Sequence, residues 1–239
     1  MLINKLSFIV PAYNEGNTVQ LVLKNVFELS LLNDIEKELI VVNDCSTDNT
    51  GEEIELFIKN NPDYKIISYL QTVNKGKGAA IHKGISLATG EYLIIQDADL
   101  ELVPSDINFL LKEVITTGID VVYGSRFLNG NHQNNSFVWS ILANRFLTRL
   151  SNLFSGYKLT DMMTCYKLIP TSVIQSIHLK EKRFGFEPEI TMKLAKIKHL
   201  NITEVPISYI ARTKKEGKKI NAGDGIRVIY CIIKYRFFN

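Results

Sequence analysis

Short runs in the first half of the chain are apolar on successive residues: LSFIV (6–10), ELIVV (38–42), KIISYL (65–70), YLIIQ (92–96) and IDVVYG (119–124). Runs this short, rich in Val and Ile and lacking polar alternation, predict strands buried on both faces. Between them stand GNTVQLVLKNVFELS, NTGEEIELFIKN, KGAAIHKGISLAT and PSDINFLLKEVITT, with apolar residues at helical spacing. Strand alternating with helix predicts an α/β fold, a mostly parallel sheet flanked by helices. Ligands of such sheets bind beyond the carboxyl ends of the strands.

After Arg126 the pattern changes. NGNHQNNS (129–136) is a polar loop, and FVWSILANRFLTRLSNLFSG (137–156) is a long amphipathic helix ending at glycine. MTCYKLI predicts a strand followed by a helix from Pro170. EPEITMKLAKIKH is a helix with proline in its first turn, NITEVPISYI is extended, and DGIRVIYCIIKYRFFN closes the chain as a helix. No repeat or linker interrupts residues 1–239, so the expectation is a single domain whose C-terminal part is smaller and decorated.

Acidic and polar clusters fall where ligands are expected. PAYNE (11–15) follows the first strand, NDCSTDNT (43–50) the second, NKGKG (74–78) the third and DADLE (97–101) the fourth. Singly, each has a plain reading: Asp48 or Asn49 caps a helix, and KGKG is a basic turn. Together on one sheet edge they suggest recognition of a nucleoside diphosphate. Asp97 and Asp99 offer hard oxygen ligands to Mg2+ or Mn2+, with Ala98 small enough for close approach. Asp44 is placed to accept from a base or ribose, while Lys75 and Lys77 suit phosphate neutralisation. No GxxxxGK[ST] or GxGxxG occurs, which excludes P-loop ATPase and dinucleotide-dehydrogenase readings.

Composition constrains the partners. The 239 residues carry a net charge of +3, too mild to argue for nucleic acid, with Lys and Arg gathered from Lys193 to Arg236. Cys45, Cys165 and Cys231 stand far apart, as in a reducing compartment, and Cys165 reads as a packed thiol. The four histidines are scattered and read as non-ligands. The N-terminus lacks a signal-type apolar core, and no window approaches the roughly 18–20 apolar residues of a spanning helix. A cytoplasmic protein, peripheral to the inner face of the membrane and open to oligomerisation, is the expectation.

IVPAYNE, VVNDCSTDNT, NKGKGAA and DADLE, in this order, resemble the nucleotide-sugar domain of family 2 glycosyltransferases of the GT-A type. GSRF, ANRFLTRLSNLFSG, LTDMMTCYKL, RFGFEPEITMKLAK and EVPISY resemble the subgroup holding dolichyl- and polyprenyl-phosphate mannose and glucose synthases and bacterial cell-wall members. The resemblance implies a nucleotide-sugar half over 1–125 and an acceptor half over 126–239. It implies that Pro11, Tyr13, Glu15, Asp44 and Lys75 line the nucleotide, and that Asp97 and Asp99, with Glu101 where the synthases often carry Gln, face the metal. Arg126 would meet an acceptor phosphate and Asp161 precedes the acceptor-side turn MTCY. Arg212, with Lys215, Lys218 and Lys219, matches a basic loop closing over the donor diphosphate. The second arginine of the mannose synthases is replaced around Trp139 and Ser140, where Arg145 or Arg149 would substitute.

The implied reaction is an inverting, metal-dependent hexosyl transfer from a UDP- or GDP-sugar. With a polyprenyl phosphate the nucleophile is already anionic and Arg126 positions it. With a hydroxyl on a glycan or lipid-linked saccharide a base is needed, and Glu187 or Glu189 would serve. For Glu189 the competing reading is a helix-start carboxylate. Asp99, Arg126, Glu189 and Arg212 are the candidate catalytic residues. A non-catalytic nucleotide-sugar-binding protein is the alternative outside enzymes; a nucleotidyltransferase is disfavoured because PAYNEGNT stands where its phosphate loop would be. The helices at 137–156 and 224–239 interleave aromatic, aliphatic and basic residues, as core packing or an interfacial helix would.

Overall fold

The computed structural model describes residues 3–128, 138–210 and 222–238. Seven strands, β1 (Lys5–Ala12), β2 (Glu36–Asn43), β3 (Ile66–Leu70), β4 (Tyr92–Ile95), β5 (Val121–Ser125), β6 (Lys167–Pro170) and β7 (Ile202–Pro206), form one sheet in the order β3-β2-β1-β4-β6-β5-β7. β3, β2, β1 and β4 run parallel, as do β5 and β7. β6 is antiparallel to both β4 and β5, and joins them through Tyr92–Pro170, Leu93–Ile169, Val122–Leu168 and Tyr123–Lys167. Thus a strand from the second half sits between two strands of the first.

Successive strand residues serve opposite helix layers. Phe8, Val10, Leu39, Val41 and Ile94 pack on one side against helices α1 (Val19–Glu28), α2 (Thr50–Asn60) and α4 (Ile107–Thr117). Ile9, Ile40, Val42, Leu93 and Ile95 face α3 (Lys77–Leu87), α7 (Phe186–Leu194) and α8 (Ala222–Phe237) on the other. α5 (Val138–Ser155) lies along α8, and α6 (Thr171–Ser176) follows β6 directly. Gly84 lets α3 approach β1: a Cβ there would stand 2.3 Å from Ile9 Cγ2.

Two expectations differ from the structure. KIISYL is not buried on both faces: β3 is an edge strand, and Leu70 is 64% exposed. Its apolar run still reads as central because sequence alone does not reveal which strand lacks a neighbour. MTCYKLI yields a strand only from Lys167. The preceding residues turn instead, with Thr164 Oγ1 accepting from the Tyr166 amide at 3.2 Å and the Lys167 ammonium reaching the Thr164 carbonyl.

Candidate active site

The loops after β1 and β2 are sewn together. Asn14 adopts a left-handed backbone (φ 54°), its side-chain oxygen accepts from Thr47 N at 2.8 Å, and its own amide donates to Ser46 Oγ at 3.1 Å. The Glu15 amide donates to Thr50 Oγ1 at 2.8 Å, while Thr18 Oγ1 donates to the Ala98 carbonyl at 2.7 Å. These bonds bring the ends of β1, β2 and β4 to one edge. Pro11 is buried, and Tyr13 and Glu15 are half-buried there.

Asp44, at the end of β2, is committed to the loop after β3. Its carboxylate accepts from Gln71 Nε2 at 2.8 Å, from the Lys75 amide at 2.9 Å and from the Gly76 amide at 2.7 Å. Gly76 has φ +95°, and a Cβ there would lie 2.5 Å from the Lys182 carbonyl, so the turn requires glycine. Asp44 therefore shapes the NKGKG loop on which Lys75 stands.

The carboxylates after β4 are not equivalent. Asp97 Oδ1 is 2.5 Å from Lys77 Nζ. Burial pushes Asp97 up, but this ammonium outweighs it and holds the carboxyl below its ordinary value. Lys77 is thus paired within the protein rather than facing solvent, unlike the phosphate contact its loop suggested. The same ammonium is 3.2 Å from Cys165 Sγ, and burial pushes that thiol well up, keeping it protonated. Asp99 is different: burial first, then the charges of Asp97 and Glu101, raise it from 3.8 to about 7. Leu100, at φ 60°, turns the chain so that the Glu101 amide donates to Asp99 Oδ1 at 3.1 Å. Glu101 in turn accepts from Tyr209 Oη at 2.8 Å, and its carbonyl accepts from the Ile210 amide at 2.9 Å. The EVPISY segment thereby closes one side of the cluster.

Arg126, just beyond β5, makes a two-pronged pair with Asp161, Nε to Oδ2 at 2.6 Å and Nη2 to Oδ1 at 2.8 Å. Burial opposes its charge and Asp161 more than restores it, so the guanidinium is held permanently protonated. Its carbon lies 5.1 Å from the Tyr209 ring centroid, and its charge lowers the Asp97 carboxyl, which sets it beside the cluster. Asp161 is oriented by Glu204, which accepts from the Asp161 amide at 2.9 Å and the Thr160 amide at 2.6 Å. Arg145 is exposed on α5.

The two glutamates of FEPE diverge. Glu189 accepts from the amides of Lys180 at 2.8 Å and Glu181 at 2.7 Å, and from Lys193 Nζ at 2.8 Å, so both oxygens organise the 180–185 turn. Glu187 pairs with the buried Lys167 through one oxygen, while Oε1 is buried with no hydrogen-bond partner among the described residues. Burial raises its pKa; Lys167 and Lys77 lower it and Asp97 raises it, which places Glu187 in the same electrostatic neighbourhood as the cluster. Lys77, Lys167, Tyr209 and Glu204 were not singled out for these roles by sequence. Each acts through a partner 20 to 108 positions away in the chain, Lys167 to Glu187 being among the shortest of these spans. Arg212 and Lys218 lie outside the described residues.

A cleft of about 400 Å3 opens beside Lys75, lined by Lys182, Arg183, Phe184, Asp224 and Arg227 among others. Among the described residues no group of three His, Cys, Asp or Glu side chains could hold a metal ion alone. The donor chemistry nonetheless fits a divalent cation. Asp97 and Asp99 supply hard oxygens, and the penalty on ionised Asp99 is what a nearby cation would remove.

The chain belongs to glycosyl transferase family 2, whose profile matches residues 7–177. It is a glycosyltransferase of GT-A fold. It is 29% identical over 240 residues to the UDP-N-acetylglucosamine–dolichyl-phosphate N-acetylglucosaminyltransferase of Methanococcus voltae, covering 94% of this chain and 93% of that one. It is 27% identical over 216 residues to the dolichol-phosphate mannosyltransferase of Pyrococcus furiosus, covering 90% of this chain but 59% of that longer protein. The glucosyl-3-phosphoglycerate synthase of Mycobacterium tuberculosis, crystallised with Mn2+, uridine diphosphate and glucosyl-3-phosphoglycerate, shares the fold. There the TM-score is 0.67 at 16% identity, over 97% of this chain and 80% of that one.

Proposed function

We propose that this glycosyltransferase moves a hexosyl group from a UDP- or GDP-sugar to the phosphate of a polyprenyl or dolichyl lipid, with inversion. The observation that carries the reading is Arg126: a half-buried, permanently charged guanidinium locked by Asp161 and stacked near Tyr209, beside the carboxylates of the donor side. A phosphate acceptor is already an anion and needs positioning rather than deprotonation. The names of the two archaeal relatives point to the same acceptor class.

In this scheme a phosphate oxygen of the acceptor attacks the anomeric carbon from the face opposite the nucleotide. The new C–O bond forms as the bond to the donor diphosphate breaks, and the diphosphate leaves with the electron pair. Asp44 holds the loop that presents Lys75 to the nucleotide. Asp97, fixed by Lys77, and Asp99 would hold Mg2+ or Mn2+, with donor oxygens completing the shell. Such an ion would supply charge stabilisation of the leaving diphosphate. Arg126 orients the acceptor phosphate, and Glu204 fixes Arg126 through Asp161. We assign Glu189 to positioning the 180–185 turn rather than to proton transfer.

A second reading rests on Glu187. Its buried Oε1 has no partner among the described residues, and a glycan or lipid-linked saccharide acceptor would need such a carboxylate as its base. The test incubates the protein and Mn2+ with UDP-N-acetylglucosamine, UDP-glucose and GDP-mannose, each with a short polyprenyl phosphate, the corresponding alcohol or a saccharide acceptor. Mass spectrometry is expected to find a glycosyl phospholipid only with the phosphate. Product from the alcohol or a saccharide alone, lost in Glu187→Gln, would replace this reading with the second.

A further inference from the structure

Soluble helices bury their apolar stripe, yet α8 does the reverse along one side. Ile226, Tyr230, Ile233 and Phe237 recur at four-, three- and four-residue steps and are 42–73% exposed. On α5 the outward face carries Leu142, Phe146 and Leu153, 50–75% exposed, while its inner face holds the buried Thr148 and Ser151. The helices lie side by side, and Phe154 meets Phe237 edge-on at 5.7 Å between centroids. The exposed end of the α8 stripe therefore abuts α5 one residue from Leu153, and exposed apolar patches of this kind mark a docking surface.

Cations punctuate that surface. Arg145 and Arg149 are exposed among the α5 apolar residues, and half-buried Arg236 lies beside Phe237 on α8, while Lys234 is drawn to Glu181 at 3.4 Å. A second copy apposed through the same face would bring its own like charges with it, whereas a layer of anionic headgroups over acyl chains complements both features. We propose that the joint α5–α8 face lies on a bilayer containing anionic lipids, with Phe146, Ile233 and Phe237 entering the acyl boundary. No helix among the described residues is long and apolar enough to cross a membrane, so the contact would be in-plane. The face opposite this surface reaches the chemistry: Asn144 Nδ2 on α5 donates to Asp161 Oδ1 at 3.4 Å, the carboxylate that holds Arg126. That link to the acceptor rests on the lipid-phosphate reading; the docking itself does not.

The experiment is co-sedimentation of the full chain with phosphatidylcholine vesicles, with and without phosphatidylglycerol and free of polyprenyl phosphate. Binding is expected only with the anionic lipid and is weakened by salt. Phe146→Glu and Phe237→Glu alter exposed side chains and are expected to cut the partition coefficient at least about tenfold. Arg149→Ala is the second arm, with a loss of about fivefold expected from one surface cation. Equal binding to both vesicle types, or unchanged sedimentation in all three variants, would overturn the proposal. So would a concentration-dependent dimer in light scattering that the phenylalanine variants abolish. Because the vesicles lack acceptor, failure here would leave the reaction itself to be decided independently by the transfer assay.

Discussion

Asp99 is expected to be a site of stored instability, and replacing it by asparagine should make the metal-free protein more stable. The sign follows from where the proton is held. In the unfolded chain the carboxyl titrates near 3.8; in the fold it titrates near 7, because burial and the neighbouring Asp97 and Glu101 disfavour the anion. Between those values the native state binds more protons than the unfolded one, so stability falls as pH rises, and above about 7 the whole penalty is present. Three pKa units at about 1.4 kcal/mol each give roughly 4 kcal/mol as the ceiling, and partial exposure of the side chain brings the working figure to about 2–4 kcal/mol. Asparagine cannot ionise and keeps an oxygen for the Glu101 amide. For a chain of this size the gain corresponds to about 5–15 °C in Tm. The assay is thermal unfolding of both proteins in chelator at about pH 8 and about pH 5, conditions on either side of the titration. Asp99→Asn should melt higher at the alkaline pH, with most of the advantage gone at the acidic one. Calorimetry should show that Mn2+ no longer tightens UDP binding to the variant. A variant that melts at or below the parent at the alkaline pH, or one whose advantage is the same at both, would refute the reasoning.

Three further outcomes can be checked in parallel. Lys167→Met should cost about 3–5 kcal/mol in urea unfolding by leaving Glu187 buried and unpaired, and Lys167→Met combined with Glu187→Leu should recover much of it. Arg126→Lys keeps the charge but loses the two-pronged grip on Asp161, so the KM for polyprenyl phosphate should rise at least about tenfold while UDP affinity is unchanged. Gly84→Ala would drive a methyl into Ile9, and a loss of about 1–3 kcal/mol is expected in the same urea titrations.

The architecture was legible in the sequence where one residue type settles one question. Successive apolar residues announced the strands, and DADLE after the fourth of them announced the edge where the loops after β1, β2 and β4 meet. What was not legible depends on closure of the fold. Lys77 and Lys75 look alike on the NKGKG loop, yet α3 carries only Lys77 inward to Asp97. Glu187 and Glu189 are two positions apart on one short helix. Their difference comes from the Lys180 and Glu181 amides, which meet one of them, and from Lys167 on β6, which meets the other. No local pattern encodes those encounters. Tyr209 shows the same limit: only the antiparallel bridge between Leu102 and Tyr209 puts its hydroxyl on Glu101.

The short β6 strand acquires a mechanical meaning. Arg126 stands beyond β5 and the carboxylates beyond β4, and these strands are not neighbours; β6 joins them with two paired residues on each side. The separation between Arg126 and the aspartates Asp97 and Asp99 is therefore gauged by a splice four residues long. A few degrees of tilt across that splice would open or tighten the gap between Arg126 and the carboxylate cluster while leaving the Arg126–Asp161 and Lys77–Asp97 pairs each intact within its own half.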